Sequence, residues 1–143
     1  MKFKSVLFVS VMALSLQAGA AEPSSQEQLK TLDTLVTSAI EQSDKAYELI
    51  QNIESTGLTA EICLNVGRTA SVAGLISKYV GTNPDWVTAS AQINGSVDAF
   101  ANECKDAPLK VGKYGASIRK QLWVIMSSHL AWLRLAVGSE LNK

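Results

Sequence analysis

The sequence predicts an all-α protein, a four-helix antiparallel bundle with one disulfide. Three observations carry that prediction. Apolar residues recur at alternating spacings of three and four over long runs, and no stretch alternates at period two. Proline and glycine are nearly absent from those runs and gather between them. Cys63 and Cys104 stand at similar distances on either side of the turn Thr82-Asn83-Pro84, where an antiparallel helical hairpin sets residues side by side.

The first helix is expected to begin after Pro23, where Ser24/Glu27 and Ser25/Gln28 form two overlapping capping boxes. Leu29, Leu32, Val36, Ala39, Ser43, Ala46, Ile50 and Ile53 make its inward stripe, and Thr56-Gly57 ends it, with Gly57 suited to positive φ. At 1.5 Å per residue, such a helix of about 30 residues is near 45 Å long. Thr59 caps the second helix, which is expected to run to Gly81 with Ile62, Val66, Ala70, Ala73, Ile76 and Val80 inward. Gly67 and Gly74 inside it predict a close backbone approach by a neighbouring helix, because glycine costs a helix roughly 1 kcal/mol against alanine.

Asn83 at N-cap, Pro84 at the first helical position and Asp85 near the positive dipole end start the third helix. Its stripe is Trp86, Ser90, Ile93, Val97, Phe100 and Cys104. Pro108, Gly112 and Gly115 predict a loop over 107–115, followed by a last helix from Ala116 to Gly138 and a frayed tail, 139–143.

The N-terminus reads as a secretory signal. Lys2 and Lys4 precede the apolar run Val6–Leu16, and Ala18-Gly19-Ala20 offers small residues for cleavage before Ala21. The run is shorter than the roughly 20 apolar residues that a membrane-spanning helix needs. Residues 1–20 are therefore expected to be removed, leaving 21–143 as one helical domain in the periplasm with no membrane attachment. An exported chain with two cysteines most simply carries one disulfide, Cys63–Cys104.

Without Lys2 and Lys4 the chain holds 11 basic and 13 acidic residues, a formal charge of −2, which argues against a nucleic-acid partner. The charges are unevenly spread. Residues 25–56 carry six acidic groups against Lys30 and Lys45, whereas 105–120 carry Lys105, Lys110, Lys113, Arg119 and Lys120 against Asp106. A compact basic segment of this kind is suited to an acidic partner.

Convergent catalytic chemistry is missing. The one histidine, His129, lies in the most apolar helix, and no GxSxG, HExxH or phosphate-binding glycine loop is present. Nothing in the spacing supports a carboxylate pair such as Glu61 and Glu103. His129 and Met126 are three residues apart on one helix and do not reach opposite faces of one haem iron. No catalytic, metal or cofactor residue is therefore assigned.

The last helix is more apolar than one bundle position requires. Leu122, Ile125, Met126, Leu130, Leu133 and Val137 read as its core stripe, with Trp123, Val124, Trp132, Leu135 and Ala136 spreading around it. Two coverings are open. Either the other three helices wrap this one as a central helix, or its second face meets a copy of itself or another protein, with Trp123 and Trp132 as dimer-interface anchors.

The signal peptide, the Cys63…Cys104 hairpin, the Asn83-Pro84-Asp85-Trp86 helix start and the tryptophan-rich last helix together resemble the small helical periplasmic immunity proteins of type VI secretion. The resemblance is to the kind that neutralises the peptidoglycan-hydrolase domain of a VgrG-type spike protein. It implies a dimeric, non-enzymatic inhibitor that plugs a muramidase-like effector and protects the producer from itself and its siblings. A hydrolase cleft is acidic because it carries catalytic carboxylates. On that ground Lys110, Lys113, Tyr114 and Arg119 are the first candidate partner contacts, and Asp85 with Trp86 the second. A bundle binding a small apolar ligand or haem, and a structural or chaperone-like dimer, are the alternatives.

Overall fold

A computed structural model describes residues 25–143, so the expected signal segment lies outside the described residues. The chain forms an all-α bundle: α1 (Ser25–Ile50), α2 (Ile53–Thr56), α3 (Ala60–Ile76), α4 (Pro84–Glu103) and α5 (Lys113–Leu141), with a 3₁₀ turn at Cys104–Asp106. Each of the four long helices has two principal neighbours. Helix α1 packs on α3 and α5, and α4 packs on α3 and α5. Helix α5 is thus one of four staves and not a central helix wrapped by the rest.

The inward stripe of α1 falls where its spacing places it. Leu32, Val36, Ala39, Ser43, Ala46, Ile50 and Ile53 are all buried. The helix is interrupted, however, at Gln51-Asn52, both exposed, and restarts as the one-turn α2. The break turns the chain so that Ile53 and Leu58 bury beside the start of α5. Gln28, read from the sequence as part of a capping box, donates its side-chain amide to the Tyr79 carbonyl at 3.1 Å, joining α1 to the end of the α3 segment.

Both internal caps form as their residue types require. The Thr59 hydroxyl accepts from Ile62 N–H at 3.1 Å, and the Asn83 carbonyl oxygen accepts from Asp85 and Trp86 N–H at 3.0 and 3.2 Å. Helix α3 ends at Ile76, five residues before the expected stop, and turns carry the chain to Gly81. Gly67 and Gly74 do not mark a close crossing: a Cβ added at either would meet nothing within 4 Å. The neighbours of α3 approach it along the Ile62/Val66/Ala73/Ile76 face instead.

Cys63 and Cys104 are bonded, with their Cα atoms 5.6 Å apart. Helix α5 starts earlier than its glycines suggest and runs past Gly138, so Gly115 and Gly138 are helical and Ser139–Leu141 does not fray. Its buried side is Ala116, Trp123, Met126, Leu130, Leu133 and Val137. Ile125, assigned by the sequence to the core, is 45% exposed, and Leu122 is half-buried. Trp123, assigned to a dimer face, is wholly covered within its own chain.

Trp123 occupies the middle of the core. Its Nε1–H donates to the Ser43 carbonyl at 2.9 Å, and its ring meets Phe100 edge-on with centroids 5.4 Å apart. That satisfies the one polar atom of the indole and adds a favourable aromatic pair. Trp123→Ala is expected to lower the unfolding free energy by about 3–5 kcal/mol, measured by urea denaturation; a loss under 1 kcal/mol would contradict the central role. Replacing Cys63 and Cys104 by serine opens a loop with a sequence separation of 41. On the chain-entropy model this costs about 4 kcal/mol, to be read as a lower denaturation midpoint with helical circular dichroism retained.

Candidate functional site

The basic segment ahead of α5 is anchored on several sides. Leu58 N–H donates to the Leu109 carbonyl at 2.8 Å, and the two residues form an isolated antiparallel bridge. Gly57 makes that approach possible. At φ 72° and ψ −170° it lies in a region that essentially only glycine occupies, and a Cβ there would sit 2.5 Å from the Leu109 carbonyl oxygen. The peptide bond between Ala107 and Pro108 is cis, Ala107 N–H donates to the Cys104 carbonyl at 3.3 Å, and Val111 is buried.

With Val111 and Leu109 holding the backbone, Lys110, Lys113 and Tyr114 are left in solvent, Tyr114 with 74% of its surface exposed. The electrostatics of this end are one-sided. Helix α5 has no side-chain N-cap and no acidic residue in its first turn; Lys113 is its first residue. A carboxylate there would favour the helix, because the unpaired N–H groups carry partial positive charge. The chain instead adds ammonium groups to that positive end.

Arg119 does not belong to the free cations. Its side chain is 14% exposed, it forms an ion pair with Glu103, and its Nη1 donates to the Gly115 carbonyl at 2.8 Å. A Cβ at Gly115 would sit 2.8 Å from that same Nη1, so the missing side chain makes room for the guanidinium. The pair ties the end of α4 to the first turns of α5 next to the disulfide. Arg119 therefore supports the loop; it does not meet a partner.

The second predicted element is elsewhere. Asp85 begins α4 and Lys110 follows its end, which separates them by roughly 27 Å at 1.5 Å per residue. Asp85 and Trp86 also face different grooves. Asp85 lines a shallow one of about 300 Å³ with Thr88, His129 and Trp132. Trp86, half-buried, lines another of about 290 Å³ with Gln28, Tyr79, Asn83 and Glu140. The two candidate elements do not form one surface.

His129 and Met126 also part company, since Met126 is wholly buried in the core while His129 opens to the Asp85 groove. Among the described residues, no group of three or more His, Cys, Asp or Glu is placed to hold a metal ion, and no helix is long and apolar enough to cross a membrane. Trp132 remains 45% exposed.

A feature missed from the sequence lies on the outer side of α5. Tyr114, Ile118, Ile125, Trp132 and Leu135 are all exposed along one line of the helix. Their spacing of four and seven was readable, but the reading of Ile125 as core hid it. No family model, curated protein or solved structure matches the chain.

Arg119→Ala is expected to destabilise the fold by about 2 kcal/mol, because it leaves a partly buried carboxylate without its charged donor. Arg119→Lys should recover less than half of that, since an ammonium cannot reach both Glu103 and the Gly115 carbonyl as the guanidinium fork does. Equal stability of all three proteins in chemical denaturation would show that the pair contributes nothing.

Proposed function

We propose that the protein is a non-catalytic immunity protein of the periplasm that binds a peptidoglycan-hydrolysing type VI effector and blocks its cleft. One observation carries the reading: a basic loop held rigidly from behind presents Lys110 and Lys113 to solvent at an uncapped helix start. An acidic cleft, with the paired carboxylates that glycan hydrolysis uses, is the complementary surface. A held loop loses little conformational freedom on binding, so more of its contact energy appears as affinity.

In this reading Lys110 and Lys113 enter or cover the acidic cleft. The Leu58–Leu109 bridge, Gly57, the disulfide and the Arg119–Glu103 pair keep them in place. Steering between opposite charges adds speed to the encounter and makes it sensitive to salt. The resemblance to periplasmic immunity proteins supplies the class of partner, and the basic loop supplies a physical means of meeting it.

The test is co-expression of the hydrolase in the periplasm with the native chain or with Lys110→Glu/Lys113→Glu. The native chain should prevent lysis. The double variant should fold with unchanged helical content, bind the purified hydrolase at least about 10-fold more weakly and fail to protect. Full protection by the double variant would remove this loop from the function, and lysis despite the native chain would reject the immunity reading.

A further inference from the structure

The outer side of α5 carries a second regular stripe. Tyr114, Ile118, Gln121, Ile125, Ser128, Trp132, Leu135 and Ser139 follow spacings of four and three throughout, and all eight are exposed. This is the seam spacing of helices that pack side by side in a left-handed pair. No position on it is charged. The outer row of α3 is different: Glu61 and Arg68 stand beside Leu64 on Glu61, Leu64, Arg68, Ser71 and Leu75, as on an ordinary solvated face.

We propose that this face is where a second copy of the chain binds, with the two α5 helices antiparallel about a two-fold axis at Ile125. Area supports a stable contact. Tyr114, Ile118, Val124, Ile125, Trp132 and Leu135 are each between 42% and 76% exposed. Together they offer roughly 700 Å² of side-chain surface, against about 800 Å² per partner in a stable interface.

The stripe also complements itself when reversed. Positions at equal distance from Ile125 pair Ile118 with the partner's Trp132, and Gln121 lies level with Ser128 and Tyr114 level with Leu135 in the same way. Large apolar groups meet near both ends, and the two polar side chains meet each other near the middle. A parallel pair would instead set Lys113 against Lys113 and Lys120 against Lys120. The antiparallel pair separates those like charges and lays the basic first turn of one α5 beside the last turn of the other, which contains Glu140. Such a two-fold contact closes on itself and leaves no edge for further growth.

The pairing places the two Lys110/Lys113 loops at opposite ends of the dimer, so that each is free to engage its own partner molecule. The dimer stands or falls separately from the hydrolase reading, because Ile125 lies about one and a half dozen ångströms along the helix from Lys113 at 1.5 Å per residue.

The experiment is light scattering on the size-fractionated chain without its first 20 residues, at micromolar concentration. It should give twice the protomer mass. Ile125→Asp and, separately, Leu135→Asp are surface changes that leave the core intact; each should weaken dimerisation about 100-fold with unchanged circular dichroism. Under mild oxidation Ile125→Cys should cross-link to its own counterpart, whereas Gln121→Cys should not. A native monomer, or a dimer indifferent to both aspartates, overturns the proposal. So does ready self-linking of Gln121→Cys, which requires a parallel pair. A monomer that binds phosphatidylglycerol-phosphatidylethanolamine vesicles, or the hydrolase, through Ile125 and Leu135 assigns the face to that occupant and likewise overturns it.

Discussion

The indole of Trp123 sets the rotation of the longest helix. It is the largest fully buried side chain, and it fits because α1 presents small residues, Ala39, Ser43 and Ala46, on consecutive inward positions. Its N–H has a partner in the Ser43 carbonyl, so burial leaves no donor unpaired. Phe100 closes the other side from α4. One side chain thus joins three helices. Once Trp123 points inward, residues half a turn away must point outward, and Ile125 follows at two positions along. The exposed stripe on α5 is a geometric consequence of where the indole is buried.

The two ends of α4 show how the same residue type can serve stability or be left for solvent. Near its C-terminal end Arg119 is drawn onto Glu103 and the Gly115 carbonyl, in a space that a Cβ at position 115 would obstruct. A few residues away Lys110 and Lys113 have backbone anchors behind them and water in front. At the N-terminal end, Asn83, Pro84 and Asp85 complete an ordinary helix start with a cap and a carboxylate. The start of α5 has neither. A helix that carries lysine where a carboxylate would stabilise it keeps positive potential on display, and that contrast within one chain makes the loop the candidate surface.

Several elements were legible because their determinants are local. The Thr59 and Asn83 caps depend on a side chain bonding a backbone N–H two or three residues on. The α1 stripe depends on helical period alone, and the cysteine pairing on equal distance from one turn. Other features need partners far apart in the chain. The interruption at Gln51-Asn52 is used to bury Ile53 and Leu58, and the loop over 107–112 is fixed by Leu58, some fifty residues earlier. Gly67 and Gly74 looked like a crossing point, yet nothing lies within 4 Å of either. Local composition cannot say which neighbour arrives.

The sequence by itself determined the all-α class, the disulfide, the helix starts at Thr59 and Asn83, and an apolar excess on the last helix, because periodicity, capping and cysteine spacing act over a few residues or one hairpin. Only the tertiary structure decided which side of that helix is core. An amphipathic period fixes relative angles around a helix but not the absolute rotation, and with apolar residues on both sides either stripe would serve. The space opposite Ser43 admitted Trp123, and that contact turned Ile125, Trp132 and Leu135 outward.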